Sequence, residues 1–153
     1  AFVKNGYVGR TFIKPGQSSR ESGVRVKLNV LKEAVAGKRV VMIDDSIVRG
    51  TTSDRIVGML KEAGATEVHM RVSAPPFLWP CYFGTDVPAR EQLIAYNRSV
   101  EDIRRIIGAD SLAYLKPERL EQMADGLGIC KGCFTGTYPM DPPTEDIRGE
   151  YKR

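Results

Sequence analysis

The sequence predicts an α/β fold with a partly parallel sheet flanked by helices, and three consecutive patterns carry this prediction. Residues 39–43 are rich in β-branched side chains, which is typical of a strand buried in the middle of a parallel sheet. Apolar residues at helical spacing follow over residues 54–63 and stop at Gly64, and residues 66–73 then alternate like a second strand. A strand, a helix and a strand within about 35 residues form a βαβ unit, whose crossover is expected to be right-handed.

The predicted elements outside this unit are short and are separated by turn-forming residues. Before it, the sequence predicts an extended segment at residues 1–13, a loop at 14–23, and a short strand or turn passing into helix at 24–36. After it, the sequence predicts helices at residues 88–96 and from Ser99 onward, an edge strand at 112–115, and a helix from Pro117 to Met123. The Ser99 hydroxyl can cap the second of these helices, with Asp102 three residues later as in a capping box. The chain thus divides into an α/β domain at residues 1–125 and a Cys-bearing extension at residues 126–153.

Length and composition are those of one ordinary globular domain. The chain has 153 residues, of which 42% are hydrophobic and 27% charged, and it has no apolar stretch long enough to cross a membrane. The first residues lack the apolar run of a signal peptide, so a cytoplasmic location is expected. There is no initiator methionine, and a strand-like segment begins almost at once, which suggests a piece of a longer protein.

Positive charge is concentrated at the start of the chain. Residues 1–39 contain nine Lys or Arg and two Glu, a balance of +7, within a net charge of +4 for the whole chain. Such an opening suits nucleic acid, a small polyanion such as a nucleotide or pyrophosphate, or a solvated surface. A nucleic-acid binder is the least favoured of these, because the basic residues gather in a predicted loop and not in a stripe with aromatic side chains.

The most informative stretch is residues 40–53, VVMIDDSIVRGTTS. It places Asp44 and Asp45 at the carboxyl end of a strand, where open α/β sheets bind ligands and where adjacent acids can address two sugar hydroxyls or a metal shell. Small hydroxyl residues, Gly50 and a run of backbone amides follow just before a helix, and this arrangement binds anions. Each feature alone is also typical of an ordinary turn or helix cap. In this order they indicate a sugar phosphate, whereas a Walker loop is disfavoured because no Gly-Lys-Ser/Thr opens the helix.

This string resembles the signature of the type I phosphoribosyltransferases, which bind phosphoribosyl pyrophosphate (PRPP). Together with residues 4–17, KNGYVGRTFIKPGQ, and the cysteine-bearing segments, it looks like the C-terminal portion of the glutamine PRPP amidotransferase family. The resemblance implies the type I phosphoribosyltransferase fold, incomplete at its N-terminus. The family's glutaminase domain and the first part of its transferase domain are expected to lie outside this chain, so the fragment alone is expected to be inactive.

The resemblance also implies roles for individual residues. Asp44 and Asp45 would contact the ribose hydroxyls and a bound Mg²⁺, and Arg10 would contact pyrophosphate; these three are the implied catalytic residues. Residues 14–25 would form a lid, and Lys4 would contact purine nucleotide effectors. The implied PRPP-binding set is Arg10, Asp44, Asp45, Ser46, Val48, Arg49, Gly50, Thr51, Thr52 and Ser53.

Three cysteines suggest a metal site without deciding which metal. Cys130 and Cys133 have the two-residue spacing that lets both thiolates reach one ion, and zinc, an iron–sulfur cluster and no metal all remain open on spacing alone. The family resemblance implies a 4Fe-4S cluster on Cys81, Cys130 and Cys133, with the fourth ligand upstream of this chain. His69 lies within a strand pattern, so we expect it to be structural or solvent-facing and not a substitute ligand.

The function implied by the resemblance is that of an amidophosphoribosyltransferase fragment. The parent enzyme would transfer glutamine-derived ammonia to PRPP, giving 5-phosphoribosylamine, pyrophosphate and glutamate in purine synthesis. The alternatives are a salvage nucleobase phosphoribosyltransferase and a non-catalytic module that senses PRPP or nucleotides. We expect no nucleic-acid or membrane partner, and a parent that is a homo-oligomer.

Overall fold

The computed structural model describes residues 2–4, 28–84 and 89–141. Five strands and five α-helices lie in these ranges: β1 Phe2–Lys4, β2 Leu28–Val30, α1 Lys32–Val35, β3 Arg39–Asp44, α2 Thr51–Glu62, β4 Glu67–Val72, α3 Val100–Ile106, β5 Ser111–Tyr114, α4 Pro117–Met123 and α5 Gly132–Thr135, with a short 3-10 helix at Arg90–Gln92. The predicted lid at residues 14–25 and the end of the predicted extension lie outside the described residues.

The architecture is α/β, as the sequence predicts. Strands β3, β4 and β5 form a parallel sheet in that order, and β1 pairs antiparallel with β2 in a separate sheet. Helix α2 packs against β4, and α3 packs against β5. Within the described ranges, no helix combines the length and the apolar character needed to cross a membrane.

One face of the parallel sheet builds the main core. Alternate residues of β4 are buried together with the apolar faces of α2 and α3, because successive side chains of a strand point to opposite faces. The buried cluster consists of Val35, Ile47, Ile56, Val57, Leu60, Val68, Met70, Val72, Ile94, Ala95, Ile103, Ile107 and Ala109.

The expectation that residues 39–43 lie in the middle of the sheet is met on one side of the strand only. Strand β3 pairs with β4, and no strand among the described residues pairs with its other side. Val40 and Met42 pack against the core, whereas Val41 is 62% exposed and Ile43 is 77% exposed on the opposite face. A continuous run of apolar residues indicates that both faces of the strand are apolar, but it does not indicate whether a neighbouring strand pairs with it.

The helix predicted at residues 88–96 is wrong. The described part of this segment, from Ala89, contains the short 3-10 helix Arg90–Gln92, after which Leu93 is extended and residues 94–97 form a turn. Leu93, Ile94 and Ala95 are all buried in succession. A helix on the surface of a core buries one stripe and not three consecutive side chains, so tertiary packing overrides the local pattern here.

Most of the other predicted elements are confirmed within a few residues. The edge strand appears at Ser111–Tyr114 and the last predicted helix at Pro117–Met123, with Pro117 in the first turn. Helix α2 begins at Thr51, three residues before the predicted start, and its N-cap Gly50 has φ +82°. The capping box at α3 is present, with the Asp102 amide donating to Ser99 Oγ at 3.1 Å.

We expect Ser99→Ala to lower the free energy of unfolding by about 1 kcal/mol, because a cap acceptor for the first turn of α3 is lost. Urea denaturation of both proteins measures this difference. Ser99→Asn keeps a capping oxygen and serves as the control, since it should stay close to the parent. Equal stability of the parent and Ser99→Ala would contradict the role of this cap.

Candidate functional site

Two carboxylates stand at the carboxyl end of β3. Asp44 is the last residue of the strand, and its carbonyl oxygen accepts hydrogen bonds from the Ser73 amide at 2.9 Å and from Ser73 Oγ at 3.1 Å. The Asp45 amide donates to Asp44 Oδ1 at 3.0 Å, and Ser46 Oγ donates to Asp45 Oδ1 at 3.0 Å. Asp44 is half-buried and Asp45 is exposed, so the two acids present different surroundings to a ligand.

Burial raises the pKa of Asp44 above its ordinary value. The hydrogen bond from the Asp45 amide lowers this pKa, and the neighbouring charge of Asp45 raises it further. Ionisation of Asp44 therefore carries a desolvation cost in the fold. A hydroxyl donor or a cation placed against it would offset that cost.

The segment after the acids forms the rim of an open pocket beside the N-terminus of α2. The first hydrogen bond of the helix runs from the Asp54 amide to the Gly50 carbonyl oxygen at 2.9 Å, so the amides of the first turn precede the helical ladder. Within the described residues, no side chain caps this end of the helix. The pocket encloses about 170 Å³ and is lined by Asp44, Asp45, Ser46, Ile47, Val48, Arg49, Gly50, Thr51, Thr52 and Ser53.

The structure thus brings all nine described members of the predicted PRPP-binding set together in one pocket. Among the three hydroxyl residues at the start of α2, Thr51 is exposed, Thr52 is half-buried and Ser53 is buried, with 3% of its surface exposed. Arg10 lies outside the described residues. Lys4 is described only through its backbone, which pairs with Leu28 in the β1–β2 ladder.

Gly50 allows the chain to enter the helix at this point. Its φ of +82° lies in the left-handed region, which side chains with a Cβ rarely adopt. A Cβ built on Gly50 would lie 2.2 Å from Ile94 Cδ1. Both the backbone conformation and the close packing of Ile94 therefore require glycine here.

A second segment touches the pocket loop, and sequence reasoning missed it. The Ile94 amide donates to the Val48 carbonyl oxygen at 2.8 Å. Arg49 donates to Gln92 Oε1 from Nη2 at 3.0 Å and from Nε at 3.3 Å. Residues 92 and 94 lie more than forty positions beyond the loop in the sequence. The only sequence signal for this contact is the run of apolar residues at 93–95, which the pattern of residues 88–96 assigns to a helix instead.

The three cysteines gather around a second, smaller apolar cluster. Phe77 and Leu93 are buried at its centre, and Cys81 and Cys133 pack against them, whereas Cys130 is exposed. Burial, together with the nearby Cys81 and Cys130, raises the pKa of the Cys133 thiol to about 11. Cys133 is therefore a protonated thiol at neutral pH.

The expectation that His69 has a structural role is confirmed. Its Nδ1 lies 2.9 Å from Ser111 Oγ, and its Nε2 lies 2.7 Å from Glu67 Oε2. Glu67 also accepts from Arg39 Nε at 2.7 Å, and this ion pair lowers the pKa of Glu67. Both ring nitrogens of His69 are engaged on the sheet, so neither is directed to the thiols.

Several curated proteins with similar sequences are named amidophosphoribosyltransferase. The amidophosphoribosyltransferase of Archaeoglobus fulgidus is 56% identical over 148 residues, which cover 94% of this chain and 32% of that protein. The amidophosphoribosyltransferase of Bacillus subtilis is 55% identical over 145 residues, covering 91% of this chain and 30% of that protein. No protein-family model matches the chain.

Solved structures agree with these relatives. The glutamine PRPP amidotransferase from B. subtilis, complexed with ADP and GMP, superposes with a TM-score of 0.77 at 53% identity. That match covers 94% of this chain and 33% of the solved one. At such identity and overlap, both sequence and fold are shared over nearly the whole chain, and the chain therefore belongs to the amidophosphoribosyltransferase family, spanning about a third of the length of the relatives it matches.

Proposed function

We propose that this chain is the part of an amidophosphoribosyltransferase that holds the ribose 5-phosphate portion of PRPP. The observation that carries the proposal is a single pocket in which two acids at the end of β3 are followed by the uncapped N-terminus of α2. Oxygen acceptors for sugar hydroxyls and amide donors for a phosphate then lie within ten consecutive residues. The family relationship supports PRPP as the ligand that combines sugar hydroxyls with a phosphate.

In this proposal Asp44 and Asp45 accept hydrogen bonds from the ribose hydroxyls. The amides of residues 46–53 donate to the 5-phosphate at the positive end of the α2 dipole. As pyrophosphate leaves, positive charge develops at the anomeric carbon, and two fixed carboxylates nearby stabilise that charge more than the neutral ground state. Glutamine-derived ammonia would be the nucleophile, supplied from outside this chain.

The donor set fits Mg²⁺ only together with the substrate. Mg²⁺ is commonly held by one or two carboxylates plus substrate phosphates and water. Asp44 and Asp45 supply the carboxylates, and among the described residues no third His, Cys, Asp or Glu completes a metal group. A bound Mg²⁺ would neutralise the pyrophosphate leaving group.

The effector role of Lys4 and the pyrophosphate role of Arg10 stay predictions.

The three thiols do not complete an iron–sulfur site by themselves, because a 4Fe-4S cluster takes four cysteine ligands and this chain has three cysteines. Across the ranges that the structure describes, no three candidate ligands are arranged to hold a metal ion. A 4Fe-4S cluster on Cys81, Cys130 and Cys133 therefore stays a prediction about a longer protein, and no step of the proposed reaction depends on it.

The two alternatives are less well supported. The relatives named above are amidophosphoribosyltransferases and not salvage enzymes. The C-terminal segment is integrated with the domain: the amides of Leu78 and Trp79 donate to the Cys133 carbonyl oxygen at 2.9 and 3.0 Å. A sensor without turnover would bind the same ligand. Measuring catalysis by the full-length protein would distinguish a sensor from an enzyme.

The combined change Asp44→Asn/Asp45→Asn is expected to weaken PRPP binding by at least about 100-fold, because two charge-assisted hydrogen bonds are lost. Calorimetric titration of the chain with PRPP and Mg²⁺ measures this. The exposed pair Asp125→Asn/Asp141→Asn changes the net charge equally and should leave the affinity unchanged. Equal affinity of the parent and the site variant would refute the proposed role of the carboxylates.

The single change Asp44→Asn is expected to raise the free energy of unfolding at pH 7. A carboxyl whose pKa is raised in the fold stabilises the folded state while it is protonated and loses that contribution as the pH rises through its folded pKa. The gain should therefore disappear at about pH 3, below the ordinary pKa of aspartate, where the parent Asp44 is also neutral. Urea denaturation at both pH values tests this, with Asp141→Asn as an exposed control. A variant that is less stable at pH 7 would contradict the stated cause.

At about pH 8, Cys133 is expected to react with iodoacetamide more than about tenfold more slowly than Cys130, because it is half-buried and protonated whereas Cys130 is exposed. Peptide mapping by mass spectrometry after timed quenching gives both rates in one sample. In urea the two rates should converge, since the difference comes from the fold. Equal rates in the folded protein would show that Cys133 is not shielded.

A further inference from the structure

A short segment outside the pocket supports the pocket loop from the side. This support segment, residues 90–94, starts with the 3-10 turn Arg90–Gln92 and ends at Ile94. It meets the loop at three consecutive positions: it donates to the Val48 carbonyl oxygen, accepts from Arg49, and packs against Gly50. None of these contacts uses an atom of the two carboxylates.

The support segment is itself fixed at both ends. The guanidinium of Arg90 lies 3.5 Å from the centre of the Trp79 ring, and Arg90 Nε donates to the Leu78 carbonyl oxygen at 2.9 Å. At the other end, Leu93 is fully buried and Ile94 is 4% exposed. The backbone of Gln92 is therefore held between two anchors, and its side chain reaches the loop from a defined position.

Arg49 donates two hydrogen bonds to a single acceptor atom of Gln92. Nε and Nη2 of the guanidinium both donate to Gln92 Oε1, and these two nitrogens lie on the same edge of the planar group. A long side chain such as arginine loses considerable rotamer entropy when it is fixed. With Gln92 in place, that loss occurs before a ligand arrives, and a preorganised cation binds an anion with less cost.

We propose that Gln92 is a positioning residue that holds the Arg49 guanidinium at the rim of the phosphate-binding loop. This inference rests on the proposed function for the ligand that Arg49 would meet, a phosphate monoester on a pentose. The proposal also predicts that Gln92 fixes the orientation of Arg49 before any ligand binds. This orientation and the affinity for the ligand can be measured independently of each other.

The first experiment measures orientation without ligand, by NMR of the arginine Nε–H groups in the whole chain. The Arg49 signal should be slow to exchange in the parent and in Gln92→Glu, which keeps a side-chain oxygen at the same reach. It should exchange rapidly in Gln92→Ala. Gln122→Ala is a matched control, because Gln122 accepts from Arg119 at 2.6 Å far along the chain in α4. An unchanged Arg49 signal in Gln92→Ala would overturn the proposal.

The second experiment measures the affinity for ribose 5-phosphate with Mg²⁺ by calorimetry. Gln92→Ala is expected to weaken binding roughly 3- to 10-fold, and Gln122→Ala to remain within about twofold of the parent. In an Arg49→Ala background, Gln92→Ala should have no further effect, because the two residues act as one unit. Additive losses would show that Gln92 acts independently of Arg49 and would overturn the proposal.

The two experiments separate the proposal from the proposed function. If the parent binds ribose 5-phosphate and the Asp44→Asn/Asp45→Asn variant binds it equally well, the proposed function fails, whatever Gln92 does. If that variant loses binding while Gln92→Ala binds normally, only the positioning role is overturned. If the parent does not bind ribose 5-phosphate, the ligand assignment fails, and the exchange of the Arg49 signal still decides whether Gln92 orients it.

Discussion

The parallel pairing of β3 with β4 is the constraint on which the rest of the structure depends. Six residue pairs join the strands, from Arg39 opposite Glu67 to Asp44 opposite Val72. Because the strands run in the same direction, the chain must travel back along the sheet between them, and α2 makes that return. Its N-terminus therefore lies at the carboxyl end of β3, where the two acids also lie. The anion-binding end of a helix and the carboxylates meet because of the crossover and not because of a local turn alone.

The pocket loop is fixed by two different apolar clusters. Ile47 belongs to the main core beneath the sheet, whereas the next residue, Val48, packs against the cluster around Phe77 and Leu93. Two adjacent side chains thus anchor the backbone on opposite sides. The Ile94 amide and the packing of Ile94 over Gly50 complete this support. Backbone amides that are to bind an anion gain most when they are held in place before it arrives.

The site also contains a group that reduces the stability of the fold, because burial disfavours the charge on Asp44. A binding site commonly keeps such groups where they serve the ligand. The cysteine-bearing segment behaves differently, because Cys133 is protonated and packed among aromatic and aliphatic side chains. Its backbone carbonyl anchors residues 78 and 79, and through Trp79 and Arg90 that anchorage reaches the support segment.

The sequence by itself determined the α/β class, the βαβ unit, the capping box at α3, and the grouping of residues 44–53 as one site. These features depend on neighbours within a few positions, so local periodicity and turn chemistry report them. Tertiary structure alone decided that β3 pairs only with β4 among the described residues, that residues 93–95 are buried in a turn and not in a helix, and that Gln92 contacts Arg49. The physical reason is the same in each case. Which strand pairs with an edge, which side chains are buried together, and which residue faces a loop depend on segments distant in sequence, and no local pattern records them.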